Sequence, residues 1–504
     1  MASLDWNSIV KYILIHYRWV FVVVFLLPLS AAYDVYYYAR SWLVFQLSSA
    51  PRQHKRKVEN VQAQVRAWKK SGQKTYMCTA RPGWQTISFR QPRYKQTFTN
   101  ININLVDILE VDVNRQSVWC EPLVSMGQLT AMLVELGWSI PVVPEMDDLT
   151  VGGLVMGTGI ETSSHKAGLF QHICLSYELV LADGSVVTCS QEQNQDLFYS
   201  VPWSYGTLGF LTAVEIKIIP AKRFVRVDYA PCHSRQLLLQ RFSAATRQED
   251  GNQFVEALCF SRDTAVVMVC NMTDSAEPGK VNSIGRWYKP WFFKHVQSFL
   301  VSGPAYEFIP LRDYYHRHTR SIFWELQDIM PYENNAVFRY VLGWLVPPKV
   351  SLLKLTQGEA VKELYEQNHF IQDMLVPLNT LGEALDCFHK EVQIYPIWLC
   401  PFLLPARPGM LQPAGGKDAL YVDIGTYGVP RVQNFHPVDT TRRVEQFVRD
   451  KKGFQMLYAD SYMTREEFRA MFDHSLYDKL REKYRDTTTA FPQVYDKICR
   501  KARI

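Results

Sequence analysis

Residues 144–170 read PEMDDLTVGGLVMGTGIETSSHKAGLF. Five glycines (Gly152, Gly153, Gly157, Gly159, Gly168) fall within seventeen residues of this run, interleaved with Thr150, Thr158, Thr162, Ser163 and Ser164. Glycine costs about 1 kcal/mol per helical position relative to alanine, so the run is not expected to form an ordinary helix. What glycine offers is free backbone geometry and close approach of main-chain N–H groups to a ligand. Small hydroxyls and bare amides suit a pyrophosphate or the edge of a flavin. A structural glycine loop is one reading of the segment, and a large cofactor lying along the backbone is another. A nicotinamide-type G-x-G-x-x-G fits poorly, because Thr162 stands where the third glycine belongs and a glycine pair precedes the motif.

The 504-residue chain is long enough for two or three domains. A hydrophobic content of 47% with 13% aromatic residues supports a large core. The net charge of +6 is mild for this length, and no zinc-ligand or RNA-binding pattern accompanies it, so nucleic acid is not expected as a partner. The ten cysteines show no C-x-x-C pairing, which argues against zinc and favours reduced thiols facing the cytosol.

Residues 19–33 (WVFVVVFLLPLSAAY) carry no charge, and a second aromatic-rich stretch, Val35–Leu47, is interrupted by Arg40. Three readings are open: a signal peptide cleaved after Ser30-Ala31-Ala32, a buried helix, or an uncleaved membrane anchor or hairpin over 1–50. Tyr33, Tyr36, Tyr37, Tyr38 and Trp42 suit a membrane interface. Arg52, Lys55, Arg56 and Lys57 suit its cytosolic side.

Beyond the anchor, Val58, Val61, Val65 and Trp68 recur at helical spacing. Short strands are predicted at Thr75–Thr79, Thr86–Phe89, Ile108–Val113 and Ser117–Glu121, and a helix over Ser125–Trp138. Asp183-Gly184 within Glu178–Cys189 predicts a hairpin with a type I′ turn. Asp196–Tyr199 and Gly206–Ile219 lead into a further strand that Pro220 ends. These short, irregular elements predict an α+β fold and not regular βαβ alternation. After about residue 221 large aromatics dominate, which favours an apolar pocket.

Three segments together resemble the FAD-binding domain of the vanillyl-alcohol oxidase, or p-cresol methylhydroxylase-type, family. They are Arg81-Pro82-Gly83-Trp84-Gln85-Thr86, the run from Pro144 through Ser164, and Asp196-Leu197-Phe198 with Gly206-Thr207-Leu208-Gly209. DDLTVGGLVMGTGIE, SSHKAGLFQHIC, YELVLADGS, YYHRHTRSIFWELQDI, YPIWLCPF and GFQMLYADSYM extend the resemblance, over essentially the whole chain, to a sterol-reducing branch of that family. It implies an FAD-binding domain over 51–221, then an α+β substrate (cap) domain over 222–504 whose C-terminal segment returns to the flavin. It implies FAD contacts from Arg81, Pro82, Gly83, Trp84, Gln85 and Thr86. From the second and third segments it implies Thr150, Val151, Gly152, Gly153, Leu154, Val155, Met156, Gly157, Thr158, Gly159, Ile160, Glu161, Thr162, Ser163, Gly206 and Gly209. Residues Arg81–Ser88 include no histidine for a covalent flavin bond, so the FAD is expected to be non-covalent.

The same resemblance implies an endoplasmic-reticulum or Golgi membrane enzyme with its body in the cytosol, among other sterol-biosynthesis enzymes. It would reduce the side-chain Δ24 double bond of sterols with NADPH, and no metal is expected. An unpolarised alkene resists bare hydride, so protonation at C24 with flavin hydride delivered to C25 needs a general acid in a dry pocket. Gly453–Asp460 takes the place of the G-G-R-P-H-W-like segment of related aldonolactone oxidases, which makes Tyr458 and Asp460 candidate acids. Glu325, beside Trp324 in an apolar setting, is the third. His316, His318 and Arg320 read either as phosphate ligands or as a solvated basic face. A lipid-oxidising flavoenzyme of the same fold and a non-catalytic sterol-binding protein are the competing functions.

Overall fold

The computed structural model describes residues 17–47, 50–85, 93–247, 251–330, 332, 334–345, 354 and 359–500. The strand expected at Thr86–Phe89 lies outside the described residues. Two sheets organise the rest. A five-stranded antiparallel sheet runs in the order Ile108–Asp112, Ser117–Cys120, Phe210–Lys217, Cys174–Val180, Val186–Ser190. An eight-stranded antiparallel sheet follows, in the order Ala305–Pro310, Phe224–Cys232, Ala265–Thr273, Phe254–Cys259, Ile397–Leu404, Ala419–Gly428, Phe370–Pro377, Phe454–Gln455. Its central strands are buried on both faces, which their near-continuous apolar runs require. A parallel pair, Met77–Thr79 with Thr99–Ile101, stands apart. This is an α+β fold, as expected.

The helix Ala50–Lys70 buries Val58, Val61, Val65 and Trp68 on one stripe, as their spacing predicts. The helix Met126–Glu135 is capped by the Ser125 side chain, which accepts from the Gln128 N–H at 3.1 Å. The 178–189 hairpin forms, but not with a type I′ turn. Gly184 has positive φ (+83°) and Asp183 does not; Leu181 N–H bonds to Ser185 O and Gly184 N–H to Leu181 O, a wider loop of one ordinary turn plus a left-handed glycine. Asp196–Tyr199 lies inside the helix Gln195–Ser200.

Two expectations need correction. Among the described residues the hydrophobic N-terminus is one continuous helix, Arg18–Gln46, which passes through Asp34 and Arg40 without the hairpin that was one of the open readings. Its turns widen over Val22–Leu26, just before Pro28, whose ring cannot donate to the preceding turn. The glycine run also contains a helix, Val151–Met156, through both Gly152 and Gly153. Close packing accounts for it. Gly152 N–H donates to Pro122 O at 2.7 Å, and a Cβ there would lie 2.7 Å from Pro122 Cβ.

All ten cysteines are free. The closing helices return to the first sheet's side. Tyr477 OH meets Thr207 Oγ1 at 2.7 Å, and Arg481 donates to Thr207 O at 3.0 Å.

The two glycines of the short helix should therefore behave differently. Gly152→Ala should cost about 1–3 kcal/mol by overpacking against Pro122. Gly153→Ala, whose Cβ would meet only Thr150 Oγ1 at 3.2 Å, should be close to neutral. Thermal unfolding of the purified full chain reads both.

Candidate functional site

The glycine run lies against the large sheet. Thr162 O accepts from Val255 N–H at 2.9 Å, and Thr162 Oγ1 sits 3.0 Å from Tyr314 OH. Beside this junction lies a fully buried guanidinium, Arg317. Its Nε donates to Glu256 Oε1 at 2.9 Å, and one terminal nitrogen donates to Glu256 Oε2 at 3.0 Å and Glu161 Oε1 at 3.1 Å. Glu145 Oε1 is 3.8 Å away. Trp398 Nε1–H completes the Glu256 shell at 2.9 Å. Burial opposes ionisation of Glu256, but Arg317 outweighs it and holds the group at about 2. Burial, with Glu161 nearby, pushes Glu145 well up. His318 is buried, stacks on Phe323 at 4.7 Å, and is driven down to about 4, hence neutral.

On the same face of the sheet are Asp373 and Asp423. Asp373 accepts from Tyr427 OH at 2.5 Å and Tyr458 OH at 2.8 Å; burial lifts it to about 6 against those two bonds. Asp423 is fully buried, neither of its oxygens has a hydrogen-bond partner, and burial beside Asp373 pushes it well up. Glu325 is buried next to Trp324, with Oε1 unpartnered; burial and then Asp328 raise it to about 8. Tyr458 feels the charges of Asp373, Asp423 and Glu325, so these groups form one neighbourhood. Phe323, Trp324, Trp398 and Tyr427 wall it, with ring centroids 5.1–5.8 Å apart.

Of the three expected acids, Tyr458 and Glu325 belong to this neighbourhood. Asp460 does not join it as an acid. Its carboxylate pairs with Arg500 at 2.8 Å, and its carbonyl accepts from Gln372 and Gln455. The basic reading of 316–320 also fails. His316 is held by Thr130, Glu145 O and Asp147, and Arg320 donates to four carbonyls of the 284–289 loop.

The expected cofactor segments come together. Arg81 donates to Thr150 Oγ1 at 3.2 Å and Gln85 O at 2.8 Å, tying the first segment, with Pro82 and the turn Gly83–Gln85, to the start of the second. Thr86 and the Trp84 side chain lie outside the described residues. Val151, Leu154, Val155 and Ile160 point into the core, so a ligand could meet only their backbone. Met156 O accepts from Tyr205 N–H at 2.9 Å, bringing in the Gly206 turn. Gly157 is hemmed by Gly153 O, Gly159 by Leu154 and Pro144, and Gly209 by Val180 O, so these three also serve internal packing. Ser163 Oγ donates to Pro141 O, and the Glu161 carboxylate is taken by Arg317. Thr158 Oγ1 is buried without a partner, as a hydroxyl waiting for a polar ligand would be.

Two cations at this end have no counterpart among the expected residues. Lys95 donates to Thr79 O at 2.6 Å and Lys497 to Tyr205 O at 2.5 Å. Burial raises the Cys78 thiol while Lys95 and Lys497 oppose it, and Arg81 acts on Lys95. Three cations around a glycine turn and a loop fit a pyrophosphate. Neither lysine lies in a motif, and Lys497 is remote in sequence from the rest. Arg317 was equally hidden. Asp373 and Asp423 did leave a signal, each being a lone acid inside an apolar strand run. The described residues hold no cluster of His, Cys, Asp and Glu suited to a metal.

Residues 54–190 match the family model of an FAD-binding domain, so the chain is an FAD-binding flavoprotein. It is 60% identical to the Delta(24)-sterol reductase of Homo sapiens, over 98% of this chain and 95% of that protein. It is 46% identical to a Delta(24)-sterol reductase homolog of Caenorhabditis elegans (99% and 97%), and 39% identical to the Delta(24)-sterol reductase of Arabidopsis thaliana (96% and 91%). The chain belongs to the Delta(24)-sterol reductase family.

Removing Arg317 should be severe. Arg317→Ala leaves Glu161 and Glu256 buried without a cation and should cost about 3–5 kcal/mol. Arg317→Met with Glu161→Gln and Glu256→Gln should recover most of that. Because Glu256 is depressed, its contribution is present above the ordinary carboxylate range and is lost as pH falls toward about 2. Denaturant unfolding of Glu256→Gln should accordingly show a flatter acid limb than the parent.

Proposed function

We propose that the protein reduces the Δ24 double bond of a sterol side chain, of the desmosterol-to-cholesterol type, with electrons from NADPH. The observation that carries this reading is the buried neighbourhood of Glu325, Asp373, Asp423 and Tyr458. It is lined by aromatic rings and holds two carboxyl groups, Glu325 and Asp423, that burial keeps protonated at neutral pH. An isolated alkene gives a hydride no purchase until a proton arrives, so it needs such a store of acid in a dry, apolar setting. Bound FAD supplies hydride to C25, with NADPH as the source of its electrons.

Glu325 is assigned as the proton donor to C24. It has an unpartnered oxygen and, raised to about 8, still carries its proton at neutral pH. Tyr458, hydrogen-bonded to Asp373, positions the side chain and links the donor to the second carboxyl group. Asp460, paired with Arg500, is left out of this chemistry. The division into an FAD-binding domain over 51–221 and a cap over 222–504 fits these roles. So does FAD contact from the three segments, with Lys95 and Lys497 added at the pyrophosphate. The endoplasmic-reticulum membrane, with the body in the cytosol, suits ten free cysteines and a sterol substrate.

Anaerobic half-reactions test this reading. NADPH should bleach the flavin absorbance of the purified protein, and desmosterol should restore it far faster than air does. Restoration by oxygen alone would point instead to an oxidase, and protein that takes up no FAD to a binding scaffold. Glu325→Gln should slow the sterol half-reaction by about 10²–10⁴-fold while leaving FAD content and the NADPH step intact. In the parent, the sterol half-reaction should decline as pH rises through about 8, where Glu325 loses its proton. Folding stability tied to the same group should be complete below the ordinary carboxylate range and lost over that same rise.

A further inference from the structure

We infer that the N-terminal helix lies along a membrane surface, and that it forms one apolar platform with the helix Ala336–Leu345 through which sterol passes from the lipid to the buried site. The helix Arg18–Gln46 touches the body toward both of its ends. Val22, Leu26, Leu27 and Ser30 are buried near one end. Toward the other, Tyr37 OH donates to Leu123 O at 3.4 Å, Arg40 pairs with Asp107 at 2.8 Å, and Ser41 meets Gln128 at 2.5 Å. Positions 22, 26, 30, 37 and 41 fall near a four-residue spacing and so share one face. A crossing helix needs about twenty residues clear of the water-soluble body. Among the described residues the contacts at its two ends leave no such stretch.

The outer face is apolar and open, with Phe25 60%, Leu29 54%, Tyr36 65% and Trp42 55% exposed. The second helix continues it. Its end, Gly343–Leu345, packs on the segment Leu27–Gln46, while Val337 (71%), Tyr340 (62%), Val341 (61%) and Trp344 (61%) face outward. At the rim, beside the exposed Arg286, Tyr288 stacks on Tyr340 at 6.1 Å and Trp287 meets it edge-on at 6.2 Å. Large aliphatic and aromatic groups bordered by Trp, Tyr and a cation match the boundary between acyl chains and headgroups of a bilayer. They do not match a water-facing surface.

The platform is also next to the chemistry. Glu325 and Ala336–Leu345 are separated by ten residues of sequence, the first of them in the short helix Leu326–Ile329. Tyr365 feels the charges of both Glu325 and Arg18, so the start of the N-terminal helix lies close to Glu325. A sterol resting in one leaflet would thus reach the carboxyl neighbourhood without crossing water.

Depth and loading are separate measurements. Nine of the ten native cysteines are buried and Cys387 is only half-exposed, so thiol-reactive fluorophores will favour new surface sites. Full-length Phe25→Cys, Tyr36→Cys and Val341→Cys, labelled in phosphatidylcholine/phosphatidylserine vesicles, should all be quenched by shallow spin-labelled lipids. A deep probe at Phe25 with a water-exposed probe at Val341 would overturn the platform. Val341→Glu with Trp344→Glu, both exposed in the fold, should raise the apparent KM for sterol in vesicles roughly tenfold. Activity on detergent-dispersed sterol should be unchanged. Equal loss in both assays, or loss in neither, would overturn the loading route. That route rests on the proposed sterol substrate, whereas the depth measurement uses none, so the two readings fail separately.

Discussion

The buried Arg317 ties the molecule together. It is held by Glu161 from the glycine run and Glu256 from the large sheet, and by the carbonyl of Tyr314. A guanidinium in an apolar interior is tolerated only when its planar N–H groups are satisfied and its charge is matched. Meeting that requirement fixes the run against the sheet. The adjoining Thr162–Val255 bond and the Trp398–Glu256 bond then follow from the same register. The cofactor segments and the carboxyl neighbourhood thereby acquire a fixed relation, even though they come from different sheets.

The same cation sets the distribution of protons. One arginine can compensate only so many carboxylates. Glu256, held bidentately, stays ionised, while Glu145 and Asp423, farther out and unpartnered or nearly so, are left to burial. A net excess of buried acids over buried cations is therefore a store of protons, not a collection of charges. Such a store is of little use to an enzyme that only removes hydride from an alcohol. It suits one that must protonate carbon.

Several elements were legible in the sequence. The valine stripe at 58, 61 and 65 gave a helix, and the short runs at Ile108–Val113, Ser117–Glu121 and Glu178–Cys189 gave strands. The three segments expected to contact FAD were picked out by resemblance, through short local runs rich in glycine and small polar residues. What stayed hidden depends on distant partners. HRHTR reads as a basic surface until Glu161, 156 residues away from Arg317, and Glu256, 61 away, are brought beside it. Asp460 reads as a free acid until Arg500 takes it. The Val151–Met156 helix forms against its glycine content because Pro122 packs where a side chain would have been. Composition alone also left the N-terminal apolar segment undecided between a signal peptide, a buried helix and a membrane anchor or hairpin.

Sterol chemistry connects that segment to the interior. A sterol is nearly insoluble in water and its alkene lies at the end of a long apolar body, so the reacting carbon must travel into the protein while the ring system stays in apolar surroundings. A route through water would expose apolar area at about 25 cal/mol for each Å² and would let water reach the carboxyl neighbourhood. Water there would solvate Glu325, lower its pKa and weaken the acid's hold on its proton at neutral pH. The apolar platform and the raised pKa of Glu325 thus answer to one constraint. Both require that the path from lipid to acid remain dry, and the aromatic wall of Phe323, Trp324, Trp398 and Tyr427 is what keeps water out where the two meet.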